Sequence, residues 1–342
     1  MKEHKNVYVV QWHITDRCQN RCKHCYMYDK RTYHKEILER EFPFLKKIVD
    51  DLVSLAVKAD ASLRISLMGG DPLLYPDFWK LLHYMHKQGI HVSIGGNPNE
   101  ITKNVAKKLY NEGVRTYQMS LEGPPAISDP IRGGNGNFDQ TIKSAEILTS
   151  AGILVNIMFT LSMENKDYLF PLMDQLAFAP IHSFSFARAS IYGNVNKFDI
   201  GLERLKPKEY RKILINYLKK EYQLQKAGSK VFWSKKCHLF APLAEDLGLE
   251  IPSQWRSCLI HSGGAICILS DGTFTACRRM HYPLGRYPEM SIEDAFWRVA
   301  DLRSIVPKEC QNCSVVNKCL GCRAVGHGVT KSLEEKDIHC WR

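Results

Sequence analysis

The twelve cysteines of this 342-residue chain fall into two groups. Cys18, Cys22 and Cys25 form a C-x3-C-x2-C motif, and the other nine lie between Cys237 and Cys340. Scattered thiols that only act as small apolar side chains would show no such clustering. Clustered cysteines in a chain without a secretory signal favour metal ligation over disulfide bonds.

The first cysteine group places three thiolates on one short segment. Three thiolates can hold three corners of a cubane iron–sulfur cluster and leave the fourth iron open to an exogenous ligand. A structural zinc site normally takes a fourth protein ligand, for which His13 or His24 is available. The motif therefore leaves two interpretations, a cluster with an open iron or a zinc site.

The spacing of this motif resembles the signature of the radical S-adenosylmethionine superfamily. The resemblance implies a [4Fe–4S] cluster whose open iron is chelated by the amino and carboxylate groups of S-adenosylmethionine. Reductive cleavage would then give methionine and a 5′-deoxyadenosyl radical that abstracts hydrogen from the substrate. An external one-electron reductant of the flavodoxin or ferredoxin type is implied as a partner. His24 stands where the family usually has an aromatic residue, and Tyr26 is a further aromatic candidate for cofactor binding.

The segment Gly69-Gly70-Asp71 resembles the GGE motif of the same superfamily, with Asp in place of Glu. The resemblance implies that the glycines let backbone carbonyls approach the methionyl ammonium of the cofactor. The Asp71 carboxylate would accept a hydrogen bond from that ammonium. Taken alone, Gly-Gly-Asp-Pro is only a turn sequence.

The stretch from Ser120 to Gly133 resembles the "S-x-D-G-P … H-D-x-I-R-G" pattern of members that modify peptides and proteins. It implies that Ser120 lies near the ribose or methionyl group of the cofactor. Glu122 stands where Asp is usual, and Ser128 where His is common. Arg132 would pair with a carboxylate of the cofactor or the substrate, and Arg188 is a weaker candidate for such a role. The alternative is a polar loop with a helix start.

The second cysteine group resembles the SPASM extension of this superfamily, with one residue fewer before its sixth cysteine. The resemblance implies two auxiliary [4Fe–4S] clusters, and hence three clusters in all. A zinc ribbon built from two C-x2-C pairs is the alternative. The matching residues are Cys258, Gly272, Cys277, Cys310, Cys313, Cys319, Cys322 and Cys340.

The same resemblance divides these cysteines between two auxiliary clusters. The proximal cluster would be held by Cys258, Cys277 and Cys322. Its fourth ligand is Cys237, Cys267 or a substrate thiol at an open site, with Cys237 slightly favoured. The ligands of the distal cluster would be Cys310, Cys313, Cys319 and Cys340.

An alternation of strands and helices up to about residue 190 must position these residues. Such alternation predicts a parallel sheet with covering helices, and six units predict an α/β fold with a partial (β/α)6 TIM-like barrel. The first cysteine group follows the first strand and Gly69-Gly70 follows the second, where parallel barrels place their chemistry. The predicted strands are 7–14, 62–68, 90–94, 114–121, 153–161 and 182–187. The predicted helices are 37–59 with an interruption at Pro43, 78–87, 101–111, 138–149 and 169–176.

Three regions follow from this pattern. Residues 1–200 are the predicted radical S-adenosylmethionine barrel. Residues 201–257 are a linker whose amphipathic helix, 207–226, is expected to bridge on the surface. Residues 258–342 are the cysteine-rich SPASM segment. It is too small to be stabilised by a buried core alone and would need bound metal to cross-link it.

Composition excludes several classes of protein. A hydrophobic fraction of 44% and a charged fraction of 24% exclude a disordered chain. No apolar run is long enough to cross a membrane, and the missing signal peptide predicts a cytoplasmic protein.

The net charge of +11 would fit a protein that binds nucleic acid. Three clusters would lower it to roughly +6, and no run of five basic residues occurs, so nucleic acid is not the expected partner.

The leading hypothesis is an enzyme that modifies a ribosomal peptide or protein by hydrogen abstraction, forming a thioether or C–C cross-link or oxidising a residue. Only 17 residues precede Cys18, so leader recognition would need a separate leader-binding protein or the barrel face. A sulfatase-type formylglycine maturase and a small-molecule dehydrogenase of the same family are the alternative enzymes. The non-enzymatic alternative is a zinc-stapled module that binds nucleic acid.

Overall fold

A ten-stranded sheet forms the centre of the protein in a computed structural model that describes residues 6–27, 37–190, 201–251, 258, 260, 264–280 and 282–342. The strand order is β10-β9-β8-β1-β2-β3-β4-β5-β6-β7. The strands are β1 (Asn6–Thr15), β2 (Ala61–Gly69), β3 (His91–Gly95), β4 (Thr116–Ser120), β5 (Leu154–Leu161), β6 (Ser183–Arg188), β7 (Phe232–Ser234), β8 (Ala265–Ile268), β9 (Thr273–Thr275) and β10 (Pro283–Arg286).

Helices in the connections cover this sheet. They are α1 (Phe42–Lys58), α2 (Phe78–Lys87), α3 (Lys103–Asn111), α4 (Pro125–Arg132), α5 (Asn137–Ser150), α6 (Leu169–Leu176), α7 (Pro207–Lys226), α8 (Phe240–Asp246), α9 (Ile292–Leu302) and α10 (Arg323–Thr330). Strands β1 to β7 run parallel, and the predicted partial barrel is confirmed. In the described part of the chain, no helix has the length and apolar character that a membrane crossing needs.

The two faces of the parallel sheet differ in polarity. On one face, side chains such as Ile65, Leu67 and Phe159 are fully buried. On the other face, hydroxyl and amide groups pair across neighbouring strands: the Ser66 and Ser93 hydroxyls lie 2.8 Å apart, and Ser183 Oγ donates to Asn156 Oδ1 at 2.6 Å. We infer that the first face packs under the helices, and that the second is the polar interior of the open barrel.

Helix α1 begins later than the sequence predicts. It starts at Phe42, with Pro43 in its first turn. Proline fits there because the first helical N–H groups need no intrahelical partner. Pro43 therefore starts the helix rather than interrupting it. Helix α4 lies where the sequence was also compatible with a polar loop.

The sheet extends beyond the six predicted strands on both sides. After helix α7, strand β7 pairs parallel with β6, so the alternation continues for one further unit. On the other side β8 pairs parallel with β1, and β9 and β10 follow antiparallel. Helix α7 has the predicted bounds, but it buries Tyr210, Leu214 and Tyr217. It therefore packs on the barrel rather than bridging on the surface.

Two glycines after β2 allow its end to lie directly against the chain that follows β1. Gly70 N–H donates to the Thr15 carbonyl at 2.9 Å, and Asp71 N–H donates to the Arg17 carbonyl at 2.6 Å. A Cβ atom at Gly69 would overlap the Thr15 carbonyl oxygen, and one at Gly70 would overlap that of Arg17. Only glycine permits this close approach of the two backbones.

Replacing Gly70 by alanine tests this contact. We expect Gly70→Ala to lower the free energy of unfolding by about 3 kcal/mol. The new methyl group would overlap backbone atoms, which cannot move aside as a flexible side chain could. Gly134→Ala is the matched control, since a Cβ there meets nothing within 4 Å, and it should change stability by less than about 0.5 kcal/mol. Urea denaturation of both variants measures the difference. Equal stabilities would show that the two loops separate freely.

Candidate active site

Residues 18–25 form a loop that is held between the ends of β1 and β2 on one side and helix α4 on the other. Lys23 N–H donates to the Ile131 carbonyl at 2.9 Å. Gly133, which ends α4 with φ of 84°, approaches so closely that a Cβ would lie 2.6 Å from the Arg21 carbonyl oxygen. Backbone contacts on both sides therefore position the three cysteines of the first motif.

The thiols of this loop are largely enclosed. Asn97 Nδ2 donates to Cys18 Sγ at 3.3 Å, and Cys22 Sγ lies 3.6 Å from the Arg132 carbonyl oxygen. Burial raises the pKa of both thiols, while the Arg132 charge acts in the opposite direction. Negative charge on Cys18 further raises the pKa of Cys22, because the two sulfurs are neighbours. Such thiols ionise when a cation binds them.

A buried ion network adjoins this loop. Glu122 Oε1 lies 3.2 Å from His24 Nε2 and 3.6 Å from Arg132 Nη1, and Glu122 Oε2 accepts from Thr160 N–H at 2.7 Å. Arg132 Nη2 donates to Asn97 Oδ1 at 3.1 Å. The sequence-predicted residues His24, Glu122 and Arg132 thus lie together beside Cys18 and Cys22. Burial lowers the pKa of Arg132, but the charges of Cys22 and Glu122 outweigh it and raise that pKa overall.

Asp71 offers an unpartnered acceptor next to the same loop. Its Oδ1 accepts from Leu73 N–H at 3.3 Å, whereas its buried Oδ2 has no partner among the described residues. Burial raises the pKa of this carboxyl to about 7. A Cβ at the adjoining Gly96 would overlap the Tyr117 hydroxyl oxygen and lie 3.0 Å from Asp71 Oδ1. An ammonium group is the ligand that such an acceptor suits.

Other residues of the stretch from Ser120 to Gly133 have internal hydrogen bonds. Ser128 Oγ accepts from Glu122 N–H at 3.0 Å. Asp129 Oδ1 accepts from Phe138 N–H at 2.8 Å, and its other oxygen accepts from Gly136 N–H, so it fixes the start of α5. Ser120 ends β4 and is half-buried. Ser128 and Asp129 therefore shape the loop that presents Glu122 and Arg132.

Tyr26 and His13 form the adjoining wall. The Tyr26 hydroxyl lies 3.3 Å from His13 Nε2. Burial, with Arg278 nearby, lowers the pKa of His13 to about 3, so this imidazole is neutral. Burial raises the pKa of Tyr26 to about 12, so the phenol keeps its proton. Both side chains act as neutral groups at neutral pH.

The cysteine-rich segment is attached to the barrel by a buried ion pair that the sequence does not reveal. Arg188, the last residue of β6, donates to Asp337 from two nitrogens at 2.6 Å each. Asp337 also accepts from Cys322 N–H at 2.7 Å and from His339 N–H at 3.0 Å. Arg188 was a candidate for binding a cofactor or substrate carboxylate, but its partner is Asp337.

Three of the later cysteines, Cys258, Cys277 and Cys322, act electrostatically on Arg279. Burial lowers the pKa of Arg279, but the charges of Cys322, Cys277 and Cys258 outweigh it. Arg279 Nη2 lies 4.0 Å from Cys322 Sγ. These three thiols are those expected to share the proximal cluster.

The four cysteines expected to share the distal cluster also affect one another electrostatically. Burial, then negative charge on Cys340 and Cys313, raises the pKa of Cys310 to about 11. Burial raises the pKa of Cys319, and the charges of Cys237 and Cys340 add to the effect. These effects link the four thiols only in pairs, and among the described residues no three such side chains are arranged as a ready-made metal site.

Comparison with known proteins identifies the barrel. Residues 12–176 match the family model of the Radical SAM superfamily. The chain is 25% identical to an AdoMet-dependent heme synthase of Oleidesulfovibrio alaskensis, over 97% of this chain and 86% of the relative. It is 31% identical to the mycofactocin maturase MftC of Mycobacterium tuberculosis, over 42% of this chain and 34% of the relative.

A solved structure of anSMEcpe with bound AdoMet and the Cp18Cys peptide shares the fold. Its TM-score is 0.73 at 20% identity, over 98% of this chain and 94% of that one. The fold and the cysteine loop define a radical S-adenosylmethionine domain. Residues 12–176 thus form a radical SAM domain, and the match to this superfamily indicates a radical SAM enzyme.

A double-mutant cycle tests whether the Arg188–Asp337 pair joins the two regions. We expect Asp337→Ala to cost at least about 3 kcal/mol, because it leaves the Arg188 charge buried without a partner. Adding Arg188→Met should recover part of that loss, giving a coupling energy of about 1–3 kcal/mol. The exposed pair Lys58–Glu293, at 3.0 Å, is the control and should couple by less than about 1 kcal/mol. Additive losses at Arg188 and Asp337 in urea denaturation would contradict a direct interaction.

Proposed function

We propose that this enzyme modifies a peptide or protein substrate by radical chemistry, with auxiliary iron–sulfur clusters that accept an electron from the substrate. The observation that carries the proposal is the attachment of a second cysteine group at the end of the barrel strands through Arg188 and Asp337. Auxiliary clusters suit net oxidations such as thioether formation, C–C cross-linking and dehydrogenation. The similarity to a mycofactocin maturase, and the fold shared with an enzyme solved with a peptide, support a polypeptide substrate.

The residues of the first motif fit the cofactor pair. Cys18, Cys22 and Cys25 would hold the [4Fe–4S] cluster. Three thiols on one loop fixed by backbone contacts would leave one of the four irons without a protein ligand. Asp71 would accept from the methionyl ammonium, since its buried Oδ2 has no partner among the described residues. Gly69 and Gly70 keep the backbone close enough for carbonyl contacts. When bound, the pair supplies hydrogen-atom abstraction.

Neighbouring side chains would position this pair. Arg132 places positive charge beside the thiols and balances part of the cluster charge, and Glu122 fixes Arg132 and His24. Ser120, at the end of β4, would reach the ribose or methionyl part of the cofactor. Tyr26, a neutral phenol on the adjoining wall, would contact the adenosyl group.

In the second group, Cys310, Cys313, Cys319 and Cys340 would hold a distal cluster. Cys258, Cys277 and Cys322 would hold a proximal one. Together with the first motif, this gives three [4Fe–4S] clusters. Residues 258–342 would then form a SPASM domain, joined by residues 201–257 to a barrel of residues 1–200.

The fourth ligand of the proximal cluster would be Cys237, Cys267 or a substrate thiol at an open site. Burial raises the pKa of Cys237, but Arg188 and the Tyr210 hydroxyl, which donates to its sulfur at 3.1 Å, both favour the thiolate. Burial raises the pKa of Cys267 to about 12, and Thr275 is the main group that opposes it. Electrostatic neighbours do not decide between the two, because Cys277 of the proximal set acts on Cys267, whereas Cys237 acts on Cys319 of the distal set.

A second candidate function is modification of a tetrapyrrole. Relatives that align with nearly the whole chain are AdoMet-dependent heme synthases, at 25% identity. Their similarity spans the cysteine-rich segment as well as the barrel. A cytoplasmic setting with a flavodoxin-type or ferredoxin-type reductant fits both candidates, whereas a separate leader-binding protein fits only the peptide candidate.

Replacing Cys18, Cys22 and Cys25 together by alanine tests the cluster assignment. We expect S-adenosylmethionine cleavage to be abolished, because no thiol of the loop remains to hold the cluster. Anaerobically reconstituted wild-type protein should contain about twelve irons per chain, and the variant about eight. Retained cleavage would contradict the assignment. About four irons together with zinc in the wild type would exclude auxiliary electron acceptors.

Mass spectrometry of peptides encoded beside the gene tests the substrate class. In reactions with the reconstituted enzyme, a reductant and S-adenosylmethionine, we expect one such peptide to lose two hydrogen atoms through cross-linking or dehydrogenation. The enzyme with all three loop cysteines replaced is the control. Unchanged peptides, alongside a mass loss in iron coproporphyrin III, would reject the peptide function in favour of the tetrapyrrole one.

A further inference from the structure

A layer of uncharged polar side chains lines the interior face of the parallel strands. Each of the strands β1 to β6 contributes one hydroxyl or amide group, and neighbours within β1–β3 and within β4–β6 are in register. The residues of this polar layer are Gln11, Ser66, Ser93, Gln118, Asn156 and Ser183. None of the six side chains is charged or aromatic.

The polar layer is open to solvent from inside the barrel. All of its members except Ser183 are half-buried, whereas Val155 and Ile157, which alternate with Asn156 along β5, are fully buried under the helices. A closed barrel fills this level with packed side chains. The partial exposure of five of the six residues therefore shows a space that a ligand can enter.

The serines of the polar layer already have hydrogen-bond partners. The Ser66 and Ser93 hydroxyls pair with each other, and Ser183 Oγ donates to Asn156 Oδ1 at 2.6 Å. This second bond also fixes the orientation of Asn156, because it uses the carbonyl oxygen and leaves the two Nδ2 donors for another partner. Within the part of the chain that the structure describes, Asn156 Nδ2 has no acceptor.

Gln118 adjoins Asn156 and has an equally free amide. The two residues are register partners on β4 and β5, yet their side chains bond neither to each other nor to any other described residue through Gln118 Oε1, Gln118 Nε2 or Asn156 Nδ2. Gln11 is a third amide in the layer, but it lies on β1, three strands away. Gln118 and Asn156 are therefore a pair of adjacent amides that together offer an acceptor and several donors.

This amide pair lies just below the level of the cofactor. Ser120 and Met158 are the next interior residues of β4 and β5, and they are themselves in register. Ser120 is the residue assigned above to the ribose or methionyl part of the cofactor. Two residues along a strand span about 6–7 Å. A chain held by the two amides would thus place one of its neighbouring residues beside the cofactor.

We propose that Gln118 and Asn156 bind the main chain of the peptide substrate and so select which of its residues faces the cofactor. This inference rests on the proposed peptide function. A peptide group offers one N–H donor and one carbonyl acceptor, which match the Gln118 carbonyl and the N–H groups of both side chains. The neutral layer suits an uncharged main chain better than the anionic propionate groups of a tetrapyrrole, which gain most from cations.

An ester analogue of a peptide tests this hydrogen bonding. The probes are acetyl-tetraalanine methylamide and the acetylated tetramer of L-lactate methyl ester, which has the same side chains but an ester in place of every amide. Both are titrated by saturation-transfer NMR into cluster-loaded enzyme with S-adenosylmethionine and no reductant. We expect the peptide to bind about tenfold more tightly, because the ester chain has no N–H donor and weaker acceptors.

Two variants remove the side-chain amides separately. Gln118→Met and Asn156→Leu should each lower the preference for the peptide from about tenfold to about threefold or less, since each removes a hydrogen bond that only the amide chain makes well. Gln140→Met and Asn104→Leu, at exposed positions on α5 and α3, are the matched controls and should keep the full preference. Gln118→Ala or Asn156→Ala replaces a variant that loses iron, with the same expected result.

Three results would overturn the proposal. The first is equal binding of the peptide and the ester, or no binding of the peptide at about 10 mM. The second is a tenfold preference that survives in both variants. The third is weaker binding of S-adenosylmethionine and of both probes alike in the variants, which would assign Gln118 and Asn156 to the cofactor.

Peptides encoded beside the gene separate this inference from the proposed function. If one of them is modified and both variants keep the wild-type KM for it, the peptide function stands and the role of Gln118 and Asn156 falls. Mass loss in iron coproporphyrin III, with every peptide unchanged, would instead reject the peptide function, and the inference with it.

Discussion

Backbone-to-backbone contact on both sides of the cysteine loop is the constraint on which the rest of the site depends. The segment of residues 18–25 has no helix or strand of its own, so hydrogen bonds to its neighbours must fix it. Contacts of Asp71 with Arg17 and of Lys23 with Ile131 supply them on opposite sides. Each contact lies next to a glycine, Gly70 or Gly133, that leaves room for the approach. The spacing of three thiols is therefore set by the ends of β1, β2 and α4.

Buried charge is the second determinant of this architecture. Removing an ion pair from water costs several kcal/mol per ion, so the Arg188–Asp337 pair is weak evidence of stability as such. Its geometry shows a positional role, because Asp337 also accepts from the backbone of Cys322. Glu122 plays the same positional role at the first cysteine group, where its carboxylate lies at ion-pair distance from Arg132 and His24. In both places, a carboxylate fixes an arginine beside cysteine thiols.

The sequence predicts the fold well where the elements are long and periodic. Helices α2, α6 and α7 have the predicted bounds, and the six predicted strands are present within a few residues. Strands β7 to β10 have only three or four residues each, which is too short for an alternating pattern to show. From the sequence, Pro43 is equally compatible with a break in a helix and with its start, and only the backbone before it distinguishes the two.

The candidate site was predictable to the extent that its residues are close in sequence. Motif spacing indicated the cysteine loop and the Gly69-Gly70-Asp71 turn. Asp337 could not be found in this way, since it lies 149 residues from its partner Arg188 and in a segment defined by cysteines. The sequence could not predict the local hydrogen bonds of Asp129 either. A resemblance in sequence does not distinguish a residue that shapes a loop from one that contacts a cofactor.

The positions of the buried arginines change the meaning of the net charge. A charge of +11 is an argument for nucleic acid only if it lies on the surface. Arg132 and Arg188 are instead buried and Arg279 is half-buried, and each has cysteine thiols among the groups that raise its pKa. An iron–sulfur cluster held by thiolates is anionic, so arginines beside cluster-binding thiols would balance part of its charge. Part of the net positive charge therefore lies inside the protein rather than on its surface.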